Sequence, residues 1–160
     1  MRDPSDKKQP GQKATPSTWS SIFWGEHSYE VFTPVCTKGG KCTVDNVFDT
    51  MKSQKSFVTP TGQTAPVTTG STTQIPMLGT VKHAVDQANH RVTNTTEPDH
   101  QLHPGVVQRE IVQRDDKIGV LTKGTGEGLL PRQNECFAPY LWGWPDSALK
   151  EAFKDQKLGD

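Results

Sequence analysis

Four of the five histidines of this 160-residue chain fall between His83 and His103, in company with Asp86, Arg91, Asn94, Glu97, Asp99 and, a little further on, Arg109. An imidazole exchanges protons near neutral pH, and a guanidinium can hold a phosphate or another anion through paired N–H donors. The group could therefore run acid–base chemistry on a phosphate ester without a metal. In that arrangement His100 and His103 serve as base and acid, and Arg109 stabilises the charge that builds on the phosphorane. His83 and Glu97 complete the candidate catalytic set. The segment Glu97-Pro98-Asp99-His100-Gln101-Leu102-His103-Pro104-Gly105 lies between two predicted strands, where a rigid sheet can present side chains to a substrate. The plainer reading is that Pro98, Pro104 and Gly105 shape a turn that the two histidines decorate.

Other spacings carry weaker chemistry. His100-x-x-His103 could open a zinc site, but no second close pair supplies the remaining ligands, so no metal and no other cofactor is expected. Cys36 and Cys42 bracket a loop holding two glycines, which leaves a disulfide feasible and two ordinary loop thiols the favoured reading. Cys136 reads as a small core residue. Gly124-Thr125-Gly126-Glu127-Gly128 follows a predicted strand and could bring backbone N–H groups to a phosphate, yet Leu129-Leu130-Pro131 follows where a nucleotide-binding loop would begin a helix. A hairpin exit or bulge suits it better. Tyr140, Trp142 and Trp144 could stack a base but serve as readily to close a small core.

The elements that must position these residues are legible in outline. Tyr29, Val31, Thr33 and Val35 alternate along a short strand that Pro34 confines to an edge or an end. Val44, Val47, Phe48 and Met51 recur at helical spacing behind Thr43 as N-cap. From Ser53 to Gly79 the chain reads as a long connection, with one extended piece around Ala65 to Thr69. Strands are then expected over Thr80–Val85, Arg91–Thr96, Val106–Arg114 and Lys117–Lys123, the last two joined as a hairpin by Asp115-Asp116. Asn134 is placed to cap a short helix reaching Tyr140. Asp146 is placed to cap a terminal helix over Ser147–Lys157, with Leu149, Ala152 and Phe153 as its apolar stripe. The fold expected is α+β, a small antiparallel sheet of about four to six strands with a few short flanking helices.

Residues 1–21, rich in Pro, Ser, Lys and Gln, carry too little apolar surface to offset the entropy of ordering them. They are expected to form a disordered tail or flexible linker, ahead of a single domain over 22–160. With 18 basic and 18 acidic residues the formal charge is zero, so the chain lacks the electrostatic footprint common in proteins that grip nucleic acid by its phosphates. No apolar run approaches the roughly 20 residues that cross a bilayer, so no transmembrane segment is expected.

The order VTNTTEPDHQLHPGVVQREIV, a strand, LTKGTGEG and NECFAPYLWGWPDSAL resembles the C-terminal toxin domains of bacterial polymorphic secreted effectors of the Rhs type. The likeness spans about Cys36 to Leu149. It implies an antibacterial domain secreted or injected into a competing bacterium, joined to the remainder of a delivery protein upstream of residue 1 and neutralised by a cognate immunity protein. It attaches no catalytic residue. The cytoplasm of the target is favoured over its periplasm as the place of action. The expected activity is a metal-independent ribonuclease. The alternatives are a toxin acting on NAD, a nucleotide or an envelope lipid precursor, and a non-catalytic binding or membrane-active module.

Overall fold

The computed structural model describes residues 27–126, 143 and 145–154. Its frame is one six-stranded antiparallel sheet. The strands are β1 (His27–Thr37), β2 (Thr72–Ile75), β3 (Gly79–Asp86), β4 (Arg91–Thr96), β5 (Gly105–Arg114) and β6 (Lys117–Gly126), with helix α1 (Val44–Met51) between the first two. The order across the sheet is β1-β6-β5-β4-β3-β2. From β2 to β6 each strand pairs with the next, and the chain's first strand then adds to its last. The small antiparallel α+β fold expected from the sequence is the one observed, with Pro34 on an edge strand as its missing N–H requires.

Register decides which residues share a face. His83, Asn94, Val107, Gly124 and Tyr29 form one continuous row across five strands, and Val85, Val92, Arg109, Thr122 and Val31 form the next. Both rows face inward, towards α1, because alternate residues of β4 and β5 are buried on that side. Val47, Phe48 and Met51 of α1 pack with Val92, Ile111, Ile118 and Val120 of the sheet in one core. Thr43 caps α1 as its spacing predicts, its side chain accepting from Asn46 N–H at 3.1 Å.

Several expectations are corrected. The stretch read as a connection contains strand β2, and a short 3₁₀ turn spans Lys55–Phe57. Residues 65–69 form no strand. Val67 is instead buried, with its N–H donated to the Lys52 carbonyl at 2.9 Å. Residues 145–152 are helical, so Asp146 stands within the helix instead of capping it. Leu149 and Phe153 are buried there as expected, whereas Ala152 is exposed. Cys36 and Cys42 are bonded to each other, and both are buried. Residues 1–21, the expected helix from Asn134, Cys136, and the Tyr140, Trp142 and Trp144 cluster lie outside the described residues.

Candidate functional site

The five residues singled out as catalytic do not form one cluster. His83 lies on the inner row of β3, 1% exposed, with both ring nitrogens engaged: Nε2 lies 2.7 Å from Thr73 Oγ1 and Nδ1 lies 2.7 Å from Asn94 Oδ1. An amide oxygen only accepts, so Nδ1 carries the proton and Nε2 accepts from the Thr73 hydroxyl. Burial pushes the His83 pKa down, against the opposing pull of its bond to Asn94, and the ring is held neutral in one tautomer.

Arg109 occupies the adjacent inner row and is fully buried. Its Nη1 donates to Thr122 Oγ1 at 2.8 Å, its Nη2 to the Phe57 carbonyl at 3.1 Å, and Asp146 Oδ1 lies 2.7 Å from Nη1. The guanidinium thus ties the sheet to the 3₁₀ turn and to the helical residues 145–152. Desolvated and paired in this way, it serves the core and does not line the cleft described below.

The loop after β4 holds the other three. His100 is buried, its Nδ1 accepting from Leu102 N–H at 3.0 Å. The remaining proton is therefore on Nε2, which has no partner among the described residues. Burial lowers the His100 pKa; Asp99 opposes this and His103 adds to it. His103 is exposed, with Nδ1 2.8 Å from Thr96 Oγ1. Glu97 uses its backbone to shape the turn, donating to the Thr80 carbonyl and accepting from His100 N–H. Asp99 anchors the turn from outside, accepting from Thr80 Oγ1 at 2.8 Å.

What the fold does assemble is a cleft over the inner face at the end of the sheet away from α1. It is lined by Tyr29, Pro60, Ile75, Leu78, Val81, Leu102 and Val107, with Thr59, Thr96, Asn94 and His100 among them, and it encloses about 590 Å³ with its open mouth included. Among the described residues, no lysine or arginine lines it. Tyr29 can lie across β6 only because residue 124 is glycine, where an added Cβ would fall 2.4 Å from the ring. Gly124, Thr125 and Gly126 are part of β6 itself, so the first half of the glycine-rich stretch is strand.

The cleft's distinctive polar group is Asn94. The residue is 3% exposed, and its Nδ2 is buried without a hydrogen-bond partner among the described residues. Since Oδ1 is held by His83, Nδ2 is the remaining arm of the amide, on a residue that lines the cleft. The signal was present in the sequence: Val92, Asn94 and Thr96 alternate on one strand face, and a polar amide beside Val92 on that face needs a partner. Among the described residues no group of three or more His, Cys, Asp or Glu is placed to hold a metal ion. Nor is any helix there long and apolar enough to cross a membrane.

No protein-family model matches the chain, and no curated protein matches it. Solved structures share its fold. A protein from Nitrosospira multiformis superposes with a TM-score of 0.55 at 12% identity, covering 79% of this chain and 97% of its own. A solution structure from Thermobifida fusca gives 0.51 at 14% identity, covering 82% and 94%. The protein XoxI from Bacillus cereus gives 0.50 at 11% identity, covering 82% and 96%. At such identities the likeness is one of fold alone.

Proposed function

We propose that the cleft binds a small, mostly apolar molecule and that the domain acts through it. The observation that carries this is Asn94 Nδ2, a buried donor without a partner among the described residues, on a residue that lines an apolar cleft. Leaving such a donor unsatisfied costs about 1–3 kcal/mol, a cost that a bound acceptor removes. The surrounding apolar wall supplies affinity, and the single amide supplies orientation.

Within the toxin reading, this favours the small-molecule alternative over a ribonuclease. RNA is a polyanion whose binding draws on lysine and arginine. Among the described residues the cleft lining has neither, Arg109 is paired with Asp146, and the net charge is zero. For the same reason a neutral, mostly apolar molecule suits the cleft better than NAD or a nucleotide. An immunity protein would then act by covering the cleft mouth.

The test is a titration of purified protein with N-phenyl-1-naphthylamine, a neutral apolar dye that brightens on leaving water. We expect saturable binding at one site, lost in Val81→Trp and Val107→Trp variants that fill the cleft and keep the wild-type circular dichroism. Absence of saturable binding, or binding that both variants retain, would sink the proposal. Degradation of total RNA by the protein in EDTA buffer would restore the ribonuclease reading.

A further inference from the structure

Two neutral side chains of the cleft, Asn94 and His100, each keep an N–H without a partner among the described residues. Asn94 Oδ1 is occupied by His83 Nδ1–H, which leaves Nδ2–H as the donor of the amide, and Thr73 Oγ1 lies on the other ring nitrogen of His83. His100 presents Nε2–H because Leu102 N–H occupies its Nδ1. Two of the cleft's hydroxyls are already used: Thr59 Oγ1 donates to the Lys55 carbonyl at 3.1 Å, and Thr96 Oγ1 accepts from Gly105 N–H at 2.9 Å and lies 2.8 Å from His103 Nδ1. A molecule that brought its own donor to Asn94 would leave two donors facing each other.

Building on the cleft-binding reading, we infer that the cleft selects neutral molecules bearing a carbonyl, that Asn94 Nδ2 donates to the carbonyl oxygen, and that His83 is a positioning residue whose Nδ1–H fixes the sense of the amide. Three strands contribute to this device: Thr73 of β2, His83 of β3 and Asn94 of β4. His83 and Asn94 are directly opposite in register, and Thr73 is diagonal to His83 on the same face. Nothing in it bears a full charge. An anionic ligand would therefore enter an apolar cleft with no cation among its described lining residues, a cost a ketone, ester or amide avoids.

A matched pair of probes tests the inference: 2-acetylnaphthalene, and 2-isopropenylnaphthalene, in which a methylene replaces the carbonyl oxygen. Wild-type protein should bind the ketone roughly tenfold more tightly, the equivalent of one net hydrogen bond. Its bound C=O stretch should move to lower wavenumber. In Asn94→Leu the preference should vanish and the stretch return, with the hydrocarbon bound at least as well as before. His83→Leu should lose the preference and His83→Asn should keep it, since an asparagine amide can replace Nδ1–H as donor to Asn94 Oδ1. A purely structural role for His83 would lower stability in both variants without moving the carbonyl stretch. Equal binding of the two probes by wild type, or a ketone preference that survives Asn94→Leu, overturns the inference and leaves the cleft-binding reading standing. Failure of wild type to bind either probe overturns both.

Discussion

At the scale of single residues, identical chemistry is put to different uses by burial and partners. His83 and His100 were matched by residue type, yet one has both ring nitrogens consumed inside the sheet while the other keeps an N–H at a cleft wall. Arg109, a candidate phosphate binder by its residue type, is the largest fully buried side chain among the described residues and belongs to an ion pair with Asp146. A buried pair of this kind is costly to break from one side. Asp146→Ala should lower stability by about 3–5 kcal/mol in urea unfolding, and Arg109→Met combined with Asp146→Leu should recover most of that loss. A loss below about 1 kcal/mol for Asp146→Ala would mean that water already solvates the pair.

At the scale of elements, the sequence was most informative where a local period was long and uninterrupted. Strands β3, β4, β5 and β6 and helix α1 are found within a few residues of their expected positions, because alternation, helical spacing and turn residues act locally. Strand β2 is only four residues long, TTQI, and its polar alternation disappears among the surrounding Thr and Gln. It is made a strand by pairing with β3. The link between β1 and α1 was likewise undecidable from spacing: Cys42 lies six positions after Cys36, and their bond joins the end of the edge strand to the helix start. Closing so short a loop in the unfolded chain should contribute roughly 2 kcal/mol. Cys36→Ala/Cys42→Ala should show that loss in urea unfolding, and full reduction of the denatured protein should add two titratable thiols. No change in thiol count on reduction would mean that the bond does not form in solution.

At the scale of the whole molecule, the buried neutral histidines couple folding to pH. Burial lowers the pKa of His83 and of His100 from 6.5, so between those lowered values and about 6.5 the unfolded chain binds protons that the native one refuses. Stability should therefore be fully present above about 6.5 and fall as the pH drops below it. Asp86 and Asp99, lowered from 3.8 chiefly by hydrogen bonds from Asn89 and Thr80 respectively, act only in a more acidic window, so the two effects separate. Urea midpoints measured from pH 7.5 down to 5 should decline for wild type and flatten in a His83→Asn/His100→Ala variant. An unchanged slope in that variant would show that other groups carry the dependence.

By itself the sequence determined the fold class, most of the strands and the segment in which polar chemistry concentrates, since each follows from patterns within a dozen or so residues. It also determined that His83, Asn94 and Arg109 would lie on strands. Only the tertiary structure decided which of them meet, and in what state. Whether Asn94 faces His83 depends on the β3–β4 register, whether Tyr29 covers Gly124 depends on the first strand closing against the last, and whether Arg109 is free depends on Asp146 arriving from the far end of the chain. Burial and hydrogen-bond partners set the protonation and reach of a side chain, and both are supplied by segments that are remote in sequence.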